Sequence, residues 1–117
     1  MINVRISINR KEREYSLSVK GHAGFSQRGK DIVCAASSVL AYTIGQVVKN
    51  MHESNMLVDA PTLDFADGNA TVSCKVTKDH DQALWHNFYT IITGYKLLGH
   101  NYPRYVEFTY DVEPIEA

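Results

Sequence analysis

Ile2, Val4, Ile6 and Ile8 alternate with Asn3, Arg5, Ser7 and Asn9, and Tyr15, Leu17 and Val19 alternate with Ser16, Ser18 and Lys20. A period of two in β-branched and aromatic residues describes strands with one buried face. The charged run Asn9 to Glu14 between them reads as a solvated turn, so the pair forms a hairpin. From Ile32 the spacing becomes helical, with Val33, Ala36, Leu40, Ile44, Val47 and Met51 on one face and Asp31 placed to cap the start. Gly45 inside that helix costs about 1 kcal/mol relative to Ala, which marks it for close packing against a neighbour. A polar connection, His52 to Ala60, precedes a second hairpin. There Leu63 and Phe65 lead into an Asp67-Gly68 turn, followed by Ala70, Val72, Cys74 and Val76. Thr77 to Asp81 supplies helix-start residues, Leu84, Phe88, Ile91, Tyr95 and Leu98 form a second helical stripe, and Gly99 is the expected stop. Val106, Phe108, Tyr110 and Val112 alternate again as a last strand.

The order ββαββαβ predicts an α+β two-layer fold. Both helices are expected on one face of a five-stranded, mainly antiparallel sheet, within a single domain over residues 1–117. Phe88, Tyr95 and Trp85 fit a core or an interface better than a base-stacking platform.

Composition narrows the function more than the fold. Lys and Arg number 12 against 13 Asp and Glu, a net charge of −1, which provides no footprint for direct nucleic-acid binding. Two cysteines are too few for a disulfide framework, and a reduced, cytoplasmic chain is expected. The alternating N-terminus has no apolar signal core. No uninterrupted run of about 18 apolar residues is present, so no membrane span is expected. His52, His80, His86 and His100 show no paired ligand spacing, and His22 with Cys34 falls short of a zinc site. No metal or cofactor is expected.

The chemistry concentrates in Gly21 to Leu40, GHAGFSQRGKDIVCAASSVL. A cysteine reacts as its thiolate. Cys34 falls in the first turn of the long helix, where free N–H groups and the macrodipole favour negative charge. His22 ends a strand at the same sheet edge, and the intervening loop is long enough to fold back and bring a proton acceptor to the thiol. The first-turn N–H groups would also suit the oxyanion of an attacked carbonyl. Asp31 has two readings, an N-cap or an orienting partner of His22 in a triad-like set. Cys34 also has a plain reading, a small apolar residue within a helix. Cys74 lies on an inward strand face and reads as core. Gly24 and Gly29 bracket a polar loop expected to be mobile.

This segment resembles the signature of the ribosomal-processing cysteine protease family, Prp. The matching residues are Gly21, His22, Ala23, Gly29, Asp31, Ile32, Val33, Cys34, Ala35 and Ser38. The resemblance implies a homodimeric bacterial cysteine endopeptidase that removes the short N-terminal extension of a large-subunit ribosomal protein precursor. It implies Cys34 as nucleophile, His22 as general base and Asp31 as a possible third member. Gly21, Gly24, Gly29 and Ser38 would serve the substrate, with the glycine-bracketed loop moving when the peptide binds. The competing expectation is a non-catalytic ribosome-assembly module that binds through the same loop.

Overall fold

A computed structural model describes residues 1–116 of the chain. Strand β1 (Ile2–Asn9) buries Ile2, Val4, Ile6 and Ile8 and turns its polar residues outward. Each such aliphatic side chain, fully buried, stabilises the fold by roughly 1.5–3 kcal/mol. Strand β2 (Glu14–Lys20) pairs antiparallel with β1, setting Ile6 opposite Leu17 and Ile8 opposite Tyr15. Helix α1 (Ile32–Glu53) follows the loop, then β3 (Thr62–Ala66) and β4 (Asn69–Lys75). A single 3-10 turn (Lys78–His80) leads into α2 (Asp81–Asn101), and β5 (Val106–Glu113) closes the chain. The sheet order is β3-β4-β2-β1-β5. Three pairings are antiparallel, and β5 runs parallel to β1. The expected α+β architecture is what forms.

The second hairpin inserts beside β2, with Lys20 opposite Asn69 and Leu17 opposite Val72. This pairing carries the Asp67-Gly68 turn to the end of β2, and the Gly21 amide donates to the Gly68 carbonyl at 2.9 Å. Across the helix layer Phe88, Leu84, Ile91 and Tyr95 of α2 are buried over the sheet. The opposite sheet face carries Arg5, Ser7 and Asp111, with Arg5 and Ser7 both bonded to the Asp111 carboxylate.

Two sequence expectations need correction. The buried line of α1 is Val33, Ser37, Ala41, Ile44, Gly45, Val48 and Met51, while Ala36, Leu40 and Val47 lie half-buried at its flank. The small residues let the helix approach its neighbours, and the bulky Leu40 fills the groove at Gly94 of α2. Gly99 does not end α2, which continues to Asn101 before Pro103. Gly45 does mark a close approach: a Cβ there would stand 2.6 Å from the ring of Phe65. By length and composition α1 is also long and apolar enough to cross a membrane. In this fold its Val33, Ile44 and Val48 are fully enclosed by the core.

Candidate active site

Asp31 sets the geometry around Cys34. Its Oδ1 accepts the Val33 and Cys34 amides, both at 3.0 Å, which starts α1 at Ile32. Its Oδ2 accepts the amides of Phe25 and Ser26 at 3.0 and 3.1 Å, so the same carboxylate fastens the preceding loop. Burial alone would raise the Asp31 pKa, but the four N–H donors outweigh it and hold the carboxyl below its ordinary value. Asp31 is thus a cap and loop anchor, and among the described residues no hydrogen bond or ion pair joins it to His22. Of the two readings of Asp31, the N-cap is the one this geometry supports, because both carboxylate oxygens are already held by main-chain amides.

The cap also changes the expected use of the first-turn amides. Val33 and Cys34 donate to the Asp31 side chain, and Ala35 donates to the Asp31 carbonyl at 3.0 Å. These groups already have partners and do not stand open for an oxyanion.

Cys34 is half-buried at the base of the loop, and its Sγ accepts the amide of the buried Ala23 at 3.2 Å. His22, the residue before Ala23, is partly exposed, with 44% of its side-chain surface accessible. His22 and Cys34 share two hollows. The larger, about 290 Å³, is also lined by Arg28, Asp31, Ser38 and Asp67, with Gly24 and Gly29 at its loop wall. The smaller, about 120 Å³, lies on the side of Gly21 and the β3–β4 turn. Ser38 lines both hollows.

Gly24 and Gly29 adopt φ of 71° and 86°, a left-handed backbone that disfavours other residues. Gly21 is also left-handed, and a Cβ there would lie 2.5 Å from the Met1 carbonyl. The loop is exposed but tethered. Beyond the Asp31 bonds, Phe25 packs edge-on against Tyr102 and Tyr105, with centroids 5.5 and 5.2 Å away. Arg28 forms an ion pair with Asp67 of the β3–β4 turn.

Three residues contribute in ways the sequence did not mark. Ala23 belongs to the matching signature, but its part in the site runs through its main-chain amide, which no side-chain pattern signals. Asp67 read as a turn residue only; its Oδ1 lies 3.9 Å from His22 Nε2. Tyr95 read as core, and its buried hydroxyl donates to the Ser37 carbonyl at 2.8 Å, fixing α2 to α1 one turn beyond Cys34. Burial pushes that hydroxyl's pKa up to about 12, so it remains a donor at neutral pH.

Cys74 is buried, and its thiol is pushed up to about 12 by burial, with Asp59 adding to the effect. A larger hollow of about 570 Å³ lies across the sheet beside Ser16, Ser73 and Asp111, and no histidine lines it. Among the described residues no three His, Cys, Asp or Glu side chains converge as metal ligands.

A thiol at a helix start, a main-chain donor on its sulfur and an imidazole in the same cavity are the parts of a thiol-dependent hydrolase. The sequence model of the family described as Cysteine protease Prp matches residues 1–107. The chain therefore belongs to that family and is a cysteine protease. No curated protein matches it. Among solved structures it resembles an essential ribosomal processing protease Prp from S. aureus bound to a covalently linked product peptide. The TM-score is 0.69 at 19% identity, covering 95% of this chain and 100% of that one. The same protease with a substrate peptide gives 0.66 at 18% identity, with the same coverage. SMU.848 from Streptococcus mutans gives 0.66 at 24% identity, covering 97% of this chain and 96% of that one. At these identities the likeness establishes the shared fold.

Proposed function

We propose that this protease removes the N-terminal extension of a large-subunit ribosomal protein precursor, with Cys34 as nucleophile and His22 as general base. The observation that carries the reading is Cys34 Sγ, held by the Ala23 amide in a cavity it shares with His22. The substrate class is supported by the structural relative described as a ribosomal processing protease. In the reaction His22 takes the Cys34 proton and the sulfur attacks the scissile carbonyl carbon. Protonated His22 then gives its proton to the departing amine, leaving a thioester. Water, deprotonated by the same imidazole, hydrolyses the thioester and restores the thiol. Gly24, Gly29 and Ser38 line the larger hollow and Gly21 the smaller one, where they would contact the extended peptide on either side of the reacting pair.

The enzyme would work in the cytoplasm, where its two free thiols persist. It would work as a homodimer; Val39 and Tyr42 of α1 and Tyr89 and Leu97 of α2 are apolar or aromatic side chains left more than half exposed. The test is cleavage of purified ribosomal protein precursors, with N-terminal sequencing of the product. Cys34→Ala should abolish cleavage with the fold intact, because it removes the sulfur and little volume. Precursor binding without cleavage by the wild-type protein would instead establish a ribosome-assembly binding module.

A further inference from the structure

We propose that Asp67, on the β3–β4 turn, is a positioning residue that selects the His22 tautomer and stabilises the imidazolium formed when His22 takes the Cys34 proton. This rests on the reading of Cys34 and His22 as the reacting pair. The first observation is orientation. Asp67 Oδ1 lies 3.9 Å from His22 Nε2. The Nε2 edge of the ring also abuts Gly68, where a Cβ would stand 2.7 Å from Nε2 and 3.3 Å from Cε1. That edge is therefore turned to the β3–β4 turn, and Nδ1, across the ring, is the nitrogen left for the thiol. A carboxylate near Nε2 favours the tautomer with hydrogen on Nε2, which makes Nδ1 the base.

The second observation is how the turn is held in place. The Gly21 amide is bonded to the Gly68 carbonyl, so the residue before His22 and the residue after Asp67 are fastened together. Arg28 occupies the other carboxylate oxygen, Oδ2, and keeps the carboxylate at the cavity mouth. The titratable or charged side chains that share the larger hollow with His22 are Arg28, Asp31, Cys34 and Asp67. Arg28 is paired with Asp67, and Asp31 is held by four amides. Asp67 is thus the carboxylate that faces the imidazole.

The step balances simply. The Cys34 S–H bond breaks, its proton passes to Nδ1, and the electron pair stays on sulfur. The imidazolium is then flanked by the thiolate and by Asp67. Asp67 acts in two opposed ways. Through His22 it favours the ion pair; acting directly on Cys34, its negative charge disfavours the thiolate.

Those opposite signs define the experiment, which measures iodoacetamide alkylation of Cys34 from pH 5 to 9 in the full chain. The wild-type protein should show rapid alkylation extending to acidic pH. Asp67→Asn should slow the reaction at pH 6 by about threefold, the scale of an exposed ion pair, and Asp67→Glu should recover it. In a His22→Asn background, Asp67→Asn should leave the rate unchanged or raise it. Asp64→Asn, on the same hairpin, should match wild type. An Asp67→Asn profile superimposable on wild type overturns the assignment. So does an equal slowing with and without His22, since that effect would not pass through the imidazole. A wild-type profile with no reactivity at acidic pH would overturn the Cys34–His22 pair itself, and this assignment with it.

Discussion

Replacing Asp31 separates its two jobs because each carboxylate oxygen serves a different one. Oδ1 caps α1 and Oδ2 holds the loop amides of Phe25 and Ser26. Asp31→Asn keeps a carbonyl oxygen for the helix cap but turns an NH2 group, a donor, towards two donors in the loop. Asp31→Ala removes both. A lost N-cap costs about 1 kcal/mol. The two loop bonds accept onto a charged group and are worth about 1.5 kcal/mol or more each where water is excluded. The loop is exposed, however, and can detach while the sheet and helices remain folded. Its bonds then contribute little to global stability and much to local protection. The urea midpoint should therefore barely move for Asp31→Asn and fall by the equivalent of about 1 kcal/mol for Asp31→Ala. Amide exchange at Phe25 and Ser26 should accelerate in both. The sign of the pH dependence follows from the depressed carboxyl: a folded-state pKa below 3.8 means a contribution present above that value. It is lost as pH falls from there through the folded-state pKa. The excess stability of wild type over Asp31→Ala should thus shrink below about pH 4. Equal destabilisation by Asn and Ala, or slow exchange at residues 25 and 26 in the Asn variant, would refute this division of labour.

Tyr95→Phe removes the buried hydroxyl that donates to the Ser37 carbonyl. It should lower stability by about 1 kcal/mol with an unchanged urea slope; no loss would mean the bond is not formed in solution. Gly45→Ala sets a helix-propensity gain of about 1 kcal/mol against an overpacking cost of about 1–3 kcal/mol at the Phe65 ring. A net loss is expected in the native background and a net gain with Phe65→Ala, measured by urea denaturation. A gain in both would mean that the hairpin yields freely to the helix.

Strands and helices were legible because their inward faces follow a simple period. Ile2 to Ile8 alternate in the sequence as they do in burial. The helix face was legible only in outline. Reading bulk as burial placed Leu40 and Val47 at the centre of α1 and missed Ser37, which is buried because it is small; Gly45 was legible as a close approach only because a glycine inside a helix stands out. Tight contact between layers selects for small side chains where backbones come closest, and a hydrophobic stripe does not reveal that. The order of strands was not legible either. The hairpins define two neighbouring pairs, but nothing local places β4 beside β2 or β5 parallel to β1.

That gap in the strand order explains what the sequence could say of the site. Cys34, His22 and Asp31 lie in one segment, so a reading along the chain brings them together. Asp31 is then a candidate partner for His22 because it stands close in sequence. A carboxylate at a helix N-terminus has several main-chain donors immediately at hand, whereas a pairing with His22 requires the loop to turn back over it. The local donors win here, and both Asp31 oxygens are occupied within the same short segment. The acid that does face His22 arrives on a hairpin far along the chain, positioned by the β2–β4 register and the Gly21–Gly68 hydrogen bond. An Asp-Gly pair between alternating strands has a sufficient local explanation as a turn. The feature that distinguishes Asp67 from an ordinary turn aspartate is its distance to an imidazole, and that exists only once the sheet is assembled.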